Sequence, residues 1–328
     1  MKLVTYSLMT PLGEFSRVGA LLDDKVLDLN MAYAARLKES GETERYYEIA
    51  DGLLPEDMLS LLEGGKQSMK AARRALKFFK ANPKVTGPEG EPLSHYLDDV
   101  ALLAPVPNPN SIRDTISFET HAKNFEKRSG KPTPPLWYEQ PIYYKGNTRT
   151  VIGDGDTIEW PSYTEKLDYE LEFGIYIGKT GKNISVEEAP DYIAGYTIFN
   201  DISARDKLQS EITMMLGPAK GKDMDTGNIF GPCLVTPDEL DPSNLKMTAR
   251  INGEVWSDGN SSDMYWSFAQ IIEYISRSET LHPGDFIGSG TIAFGCGDEL
   301  ERWIKPGDII ELEVEGIGIL TNQIASKS

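Results

Sequence analysis

The sequence lacks the features that mark secreted and membrane proteins. Its 328 residues include only two cysteines, too few for a disulfide framework. No stretch approaches about 18 consecutive apolar residues, so we expect no membrane span. The N-terminal residues also lack the long apolar core of a signal peptide. Together these absences predict a cytoplasmic protein.

Positive charge is also scarce. The chain has 33 basic residues against 51 acidic ones, which gives a net charge of −18. This excess repels phosphate backbones and anionic lipids, so we expect neither nucleic acid nor a membrane as a partner. A small anionic substrate remains compatible with it, because a metal ion and local basic residues can dominate the field inside a pocket. The sequence also has no Gly-x-Gly-x-x-Gly phosphate loop and no internal repeat.

Proline-rich segments divide the chain into a small N-terminal part and a larger C-terminal part. The first part contains predicted strands over 2–6, 16–22 and 25–29 and predicted helices over 31–38, 58–62 and 68–80. Segments 82–92 and 104–110 follow, and their composition is typical of a connection between modules. We therefore predict a small domain over 1–104 and a second domain over 105–328.

The C-terminal part is rich in predicted strands. Residues 247–251 and 254–257 flank Asn252-Gly253, a dipeptide that suits a type I′ hairpin turn. One helix is predicted after Asp263 as its N-cap, with an apolar stripe at helical spacing. The stripe consists of Met264, Phe268, Ile271, Ile272 and Ile275. Because strands dominate and no βαβ rhythm is present, the predicted fold class is strand-rich α+β.

Two glutamates share one face of a predicted strand. From 167 to 177 apolar residues alternate with others, which is the period of a β-strand, and Glu170 and Glu172 lie on the face opposite the apolar one. Their Cα atoms are then roughly 6.5–7 Å apart. Such charges repel each other unless a cation or water lies between them. A hard divalent cation explains the pair, and a solvated strand face is the alternative.

Four other residues each allow a functional and a structural interpretation. Asp201 ends the apolar strand 196–200, a position that suits ligand binding or the capping of a turn. Lys222 lies in a glycine-rich segment where backbone can approach a ligand, although most lysines are exposed. His121 is one of three histidines, and partly buried histidines are common. Thr291 lies in a small, glycine-containing bend whose backbone N–H groups suit a carboxylate.

The order and spacing of these segments resemble the fumarylacetoacetate hydrolase superfamily over roughly residues 105–328. The matching motifs are Glu170-Leu-Glu172, Asn200-Asp201-Ile-Ser-Ala-Arg205-Asp206, Lys222 after Leu-Gly-Pro, and Ser289-Gly-Thr291. Two further matches favour the fumarylacetoacetase-like branch. Asp114 stands seven residues before His121, and Tyr144 lies in a Pro-x-x-Tyr-x-Gly segment.

The resemblance implies a fold and a reaction. The implied fold is a mixed β-sandwich and β-roll catalytic domain with a small β-rich N-terminal domain. The implied enzyme is a metal-dependent hydrolase that cleaves a C–C bond in 2,4-diketo acids, acylpyruvates or fumarylacetoacetate-like compounds, as in the catabolism of aromatic compounds. Family members are commonly dimers, so we also expect a homodimer.

The resemblance also implies roles for individual residues. The implied metal ligands are Asp114, Glu170, Glu172 and Asp201, a carboxylate set that suits Mg²⁺, Mn²⁺ or Ca²⁺. The implied catalytic residues are His121, Lys222 and Arg205, of which the histidine is the base that takes a proton from water. Lys222 and Arg205 then stabilise an oxyanion or bind a substrate carboxylate. Tyr144 and Thr291 are the implied substrate contacts.

The partner of His121 departs from the family pattern. The family pairs this histidine with a glutamate, but the two expected positions hold Asn124 and Cys296 here. The remaining candidates for the partner are Glu119, Glu126, Asp298 and Glu299. Hydrolysis depends on this pair, whereas the metal site does not.

The missing partner leaves an alternative to hydrolysis. The alternative is a lyase or isomerase of the same superfamily, such as an oxaloacetate decarboxylase, a sugar-acid dehydratase or a hydratase, with the same metal-enolate chemistry. A third hypothesis is a non-catalytic metal-binding or scaffold protein, since a fold does not fix a function. The presence of His121, Lys222 and Arg205 together argues against this third hypothesis.

Overall fold

A computed structural model of the chain describes residues 1–41, 43–214 and 217–327, apart from the side chains of residues 128 and 129. The strands are Lys2–Thr10 (β1), Gly13–Leu22 (β2), Lys25–Asp28 (β3), Ser94–Tyr96 (β4), Ala101–Leu102 (β5), Ser111–Thr115 (β6), Tyr143–Gly146 (β7), Val151–Ile152 (β8), Thr157–Ile158 (β9), Leu167–Asp168 (β10), Leu171–Ile177 (β11), Gly181–Lys182 (β12), Ile193–Asp201 (β13), Ser203–Ala204 (β14), Asn228–Val235 (β15), Lys246–Ile251 (β16), Glu254–Asn260 (β17), Thr280–Leu281 (β18), Asp285–Gly288 (β19), Ile309–Val314 (β20) and Gly318–Ile324 (β21). The α-helices are Leu29–Ser40 (α1), Tyr46–Leu53 (α2), Met58–Glu63 (α3), Gly65–Ala81 (α4), Glu119–Ser129 (α5), Arg205–Ile212 (α6), Phe268–Ile275 (α7) and Gly297–Leu300 (α8). This arrangement confirms the strand-rich α+β class, and no described helix is long and apolar enough to cross a membrane.

The largest sheet runs through both parts of the chain. Its strand order is β4-β3-β2-β1-β15-β13-β11-β19-β6-β7, with β5 paired to β1 and β8 paired to β15. Strand β1 pairs antiparallel with β15, with Leu3 opposite Leu234, so the N-terminal strands extend the sheet of the second part. The domain boundary after residue 104 stays a prediction. A smaller sheet has the order β17-β16-β20-β21-β9.

Apolar side chains cover both faces of the large sheet. Leu171 and Phe173 of β11 lie in a core that also contains residues of the smaller sheet and of α7. Tyr176 of the same strand lies in a second core with residues of α1 and α4. Because β11 is buried along its whole length, a solvated strand face is wrong for Glu170 and Glu172.

Two local predictions have different outcomes. The hairpin between β16 and β17 is confirmed, and Asn252 and Gly253 have φ values of +53° and +79°, as a type I′ turn requires. The predicted N-cap Asp263 is wrong, because this residue lies in a separate 3-10 turn. Helix α7 begins one turn later, where Ser267 and Gln270 form a capping box.

Candidate active site

Three carboxylates from three strands of the large sheet converge at one place. Asp114 lies in β6, Glu172 in β11, and Asp201 ends β13, and one ligand oxygen of each lies within 4.8 Å of the others. On each strand the acid lies on the same face as an apolar residue of the second core, which contains residues of α1 and α4. Asp114 shares its face with Ile112, Glu172 with Tyr176, and Asp201 with Phe199. The strand period therefore directs all three acids to the same side of the sheet, where the apolar layer ends.

A glycine on the strand between β11 and β6 makes this convergence possible. Gly288 of β19 lies opposite Asp114 in β6 and opposite Gly174 in β11. A Cβ atom at Gly288 would lie 2.3 Å from Oδ1 of Asp114 and 3.3 Å from Oε2 of Glu172. The missing side chain thus leaves the gap across which the two carboxylates approach each other.

We predict that Gly288→Ala weakens divalent-metal binding roughly 10- to 100-fold, because the new methyl group displaces the Asp114 carboxylate. Calorimetric titration with Mg²⁺ measures the change. Gly52→Ala in α2 is the matched control, since a Cβ atom there meets nothing within 4 Å. Unchanged affinity in a folded Gly288→Ala protein contradicts the role given to this glycine.

The three carboxylates are buried and repel one another. Burial and the charge of Asp201 raise the pKa of Asp114 to about 7. Burial raises the pKa of Asp201 to about 6, although the charge of Lys222 opposes this change. Burial and the charge of Asp114 raise the pKa of Glu172 well above its usual range. The positively charged groups of the protein therefore neutralise only part of the negative charge of this cluster.

This donor set fits a hard divalent cation. Oε2 of Glu172 and Oδ1 of Asp201 are buried and have no hydrogen-bond partner among the described residues. Among the described residues, five carboxylates of the site (Asp114, Asp168, Glu170, Glu172 and Asp201) surround two buried cations, Lys222 and Arg205. A divalent ion would supply the missing positive charge and bind the two unpartnered oxygens. Asp114, Glu172 and Asp201 are the residues that would hold it.

Glu170 lies beside this cluster and faces two cations. Its Oε2 accepts a hydrogen bond from Nζ of Lys222 at 2.6 Å, and its Oε1 lies 2.8 Å from Nη1 of Arg205. Although burial favours the neutral acid, the charges of Lys222 and Arg205 hold the pKa of Glu170 well below its usual range. The structure therefore groups Glu170 with the cations, and its predicted role as a fourth metal ligand stays a prediction.

Lys222 is fully engaged by its neighbours. Besides Glu170, its Nζ donates to Oδ2 of Asp201 at 2.5 Å and to the backbone oxygen of Asp201 at 3.3 Å. These contacts use all three N–H donors of the ammonium group. Lys222 thus links the carboxylate cluster to Glu170, and its predicted contact with a substrate oxyanion requires one of these bonds to open.

A fifth carboxylate of the site, Asp168 of β10, is not among the residues predicted from the sequence. Its Oδ2 accepts a hydrogen bond from Nε of Arg205 at 2.8 Å, and its Oδ1 accepts one from the backbone of Gly297 at 2.8 Å. Asp168 thereby anchors Arg205 between itself and Glu170 and connects it to the first residue of α8. The signal was present, because Asp168 continues the alternation of Glu170 and Glu172 by one more step.

The two predicted substrate contacts bind carboxylates of the candidate metal site in the structure. The hydroxyl of Tyr144 donates to Oδ2 of Asp201 at 2.6 Å, and Oγ1 of Thr291 donates to Oε1 of Glu172 at 3.1 Å. Both side chains therefore orient the carboxylates toward each other. Their contact with a substrate stays a prediction.

The structure supplies a carboxylate partner for His121. Nδ1 of His121, on α5, lies 3.2 Å from Oε2 of Glu299 on α8. Asn124 stands where one branch of the family has the glutamate, and its amide donates to Oε1 of Glu299 at 2.9 Å. Of the four sequence candidates, Glu299 is the one that the described residues place beside His121. The contact has the distance but not the alignment of a hydrogen bond, as is common before a substrate binds.

Residues 111–325 match the family model of the C-terminal domain of fumarylacetoacetate (FAA) hydrolase. The chain belongs to the fumarylacetoacetate hydrolase family. The family prediction is therefore confirmed, and an enzyme of this superfamily is supported. The acidic cluster of this family member is a candidate metal site.

Two relatives of this protein align with most of its length. Oxaloacetate tautomerase YisK of Bacillus subtilis (strain 168) is 32% identical over 313 residues, which span 94% of this chain and 95% of that protein. The human mitochondrial oxaloacetate tautomerase FAHD2A is 32% identical over 278 residues, which span 84% of this chain and 81% of that protein. The fold matches the solved fumarylacetoacetate hydrolase of Exiguobacterium antarcticum with a TM-score of 0.70 and 24% identity, over 99% of this chain and all of that one.

Proposed function

We propose that this protein is a divalent-metal-dependent isomerase that interconverts the keto and enol forms of a 2-oxo dicarboxylic acid, with oxaloacetate as the substrate. The pairing of His121 with Glu299 beside the carboxylate cluster carries the proposal. The similarity to two oxaloacetate tautomerases supports it, and in the Bacillus protein the similarity covers nearly the full length. The similarity to these tautomerases favours the isomerase alternative over the C–C bond hydrolase predicted first, whereas the pairing of His121 with Glu299 suits proton transfer in either reaction.

The reaction requires one proton to move between a carbon and an oxygen of the substrate. A bound divalent cation, Mg²⁺, Mn²⁺ or Ca²⁺, would polarise the 2-oxo group and make the protons on the adjacent carbon more acidic. Nδ1 of His121 faces Glu299, so Nε2 is the atom available to take this proton and to release it to the oxygen. The negative charge of Glu299 stabilises the imidazolium that exists between the two transfers.

The two buried cations around Glu170 affect how the site attracts a negatively charged substrate. Arg205 and Lys222 are each paired with two carboxylates, so they hold the acidic residues in place without a net positive field of their own. The substrate's carboxylates are therefore attracted chiefly when the divalent cation is bound. The expected homodimer, the absence of nucleic-acid and membrane partners and the choice of metal remain part of this proposal.

We expect the purified protein with Mg²⁺ to accelerate the keto–enol interconversion of oxaloacetate without consuming it. The loss of enol absorbance gives the rate, and product analysis after long incubation gives the carbon balance. An acylpyruvate, fumarylpyruvate and fumarylacetoacetate are offered in parallel. Release of pyruvate and carbon dioxide, or hydrolytic cleavage of a diketo acid without tautomerisation of oxaloacetate, would overturn the proposed reaction. Protein treated with a chelator is the control for metal dependence.

A further inference from the structure

A second group of potential metal ligands includes the proposed catalytic histidine, His121. One donor atom each from His121, Cys296 and Glu299 lies within 4.8 Å of the other two. These side chains come from α5, from the residue that precedes α8, and from α8 itself. The group contains a nitrogen, a sulfur and an oxygen donor, whereas the carboxylate cluster contains oxygen only.

The nitrogen donor of His121 and the sulfur donor of Cys296 are buried, and neither makes a strong hydrogen bond to a described residue. Cys296 is fully buried, and its Sγ lies 3.7 Å from Oε2 of Glu299, which is a weak thiol hydrogen bond. Nδ1 of His121 is buried and makes no hydrogen bond with the correct direction among the described residues. A buried ring nitrogen without such a bond is costly, and a cation would satisfy it together with the sulfur.

The separations of these donor atoms match those of ligands around zinc. In a tetrahedral site with bonds of about 2.0–2.1 Å to nitrogen and oxygen and about 2.3 Å to sulfur, nitrogen and oxygen donors lie about 3.3 Å apart and sulfur and oxygen donors about 3.6 Å apart. The corresponding distances here are 3.2 Å from His121 to Glu299 and 3.7 Å from Cys296 to Glu299. These two separations already suit such an ion, and the third pair of donors, His121 and Cys296, lies within 4.8 Å.

We propose that His121, Cys296 and Glu299 form a second cation site, which binds Zn²⁺ or another borderline ion and is separate from the carboxylate cluster. Thiolate and imidazole ligands favour such ions, whereas Mg²⁺ and Ca²⁺ prefer oxygen donors. The histidine side chain is 14% exposed, so this group lies close to solvent.

Occupation of this site inhibits the enzyme, a consequence that rests on the proposed function. The thiol of Cys296 releases its proton to solvent and becomes a thiolate ligand. The single proton of the neutral His121 ring then resides on Nε2, because Nδ1 is bound to the ion. The ring can no longer take a proton from the substrate, and Glu299 no longer stabilises an imidazolium.

Zinc binding is tested first in Glu172→Gln protein, in which the carboxylate cluster is impaired. We expect this variant to bind one Zn²⁺ per chain, and Co²⁺ in its place to give a thiolate-to-cobalt charge-transfer band in the near ultraviolet. Adding Cys296→Ala removes the band and weakens Zn²⁺ binding roughly tenfold or more. Cys233→Ala is the matched control, because Cys233 is equally buried but belongs to β15, outside this ligand group.

Zn²⁺ binding and the Co²⁺ charge-transfer band are also measured on the unaltered protein in saturating Mg²⁺. This second background gives a result even if Glu172→Gln does not fold. A charge-transfer band that depends on Cys296 supports the site in either background. Absence of the band, or Zn²⁺ binding that is the same with and without Cys296, overturns the proposal.

Inhibition is measured separately. We expect Zn²⁺ to inhibit tautomerisation in excess Mg²⁺, and Cys296→Ala to raise the half-inhibiting Zn²⁺ concentration roughly tenfold, relative to that variant's own rate. Zinc binding without any tautomerase activity to inhibit would contradict the proposed function and leave the site intact. Inhibition that is insensitive to Cys296 would contradict the site and leave the proposed function intact.

Discussion

Glu172→Gln should abolish the stabilisation of this protein by Mg²⁺. At a metal concentration of about 100 times the dissociation constant, the unaltered protein gains about 2.7 kcal/mol of unfolding free energy, and we expect the variant to gain almost none. The reason is that Glu172 offers the unpartnered oxygen Oε2 at the centre of the buried cluster. Thermal unfolding with and without Mg²⁺, together with calorimetric titration, measures the loss.

The metal-free proteins give an independent check on this interpretation. Burial and neighbouring acids raise the pKa of Glu172, so its ionised form destabilises the folded state when no metal is present. Glu172→Gln should therefore unfold at the same or a higher temperature than the unaltered protein in a chelator. Glu159→Gln, at an exposed position, is the matched control. Undiminished Mg²⁺ affinity in Glu172→Gln would refute the carboxylate site.

The same experiment decides the role of Glu170. If this residue is the fourth ligand that the family resemblance implies, Glu170→Gln should weaken Mg²⁺ binding as strongly as Glu172→Gln does. If it only neutralises Lys222 and Arg205, as its contacts in the structure indicate, the loss should be clearly smaller.

Metal stabilisation should also depend on pH. The pKa values of Asp114 and Asp201 are raised to about 7 and about 6, so protons compete with the ion for these carboxylates as the pH falls through this range. The stabilisation by Mg²⁺ should therefore shrink, and thermal unfolding with and without Mg²⁺ at several pH values measures the change.

His121→Asn should lower the turnover number roughly 10²- to 10⁴-fold, because it removes the group that we propose to move the proton. Binding of Mg²⁺ should be retained, since His121 is not a member of the carboxylate cluster. Glu299→Gln should cause a smaller loss of the same kind, because an amide oxygen still orients the ring but carries no charge. Steady-state kinetics and Mg²⁺ titration of each variant separate these effects.

His282→Asn is the matched control for this experiment, since His282 is an exposed histidine in a turn. Full activity in His121→Asn would remove this residue from the mechanism. Loss of both turnover and Mg²⁺ binding would instead indicate that the substitution disturbs the metal site, and would contradict the separation of the two groups.

The carboxylate that pairs with His121 could not be identified from the sequence. The family pattern identified the histidine, but the two positions expected for its glutamate hold Asn124 and Cys296. Four acids near those positions remained equivalent on sequence alone. Only the packing of α8 against α5 distinguishes Glu299 from the others, because a contact between residues 178 positions apart depends on how two helices meet.

The sequence by itself determined the family and the extended segment that carries Glu170 and Glu172, and it predicted most of the residues that the structure brings together at the candidate site. It did so because the period of a strand and the spacing of motifs are local properties. The tertiary structure decided that both faces of β11 are buried, that Gly288 lets Asp114 meet Glu172, and that Glu170 faces cations. These facts depend on which strands and helices become neighbours, and burial and charge compensation follow from those neighbours.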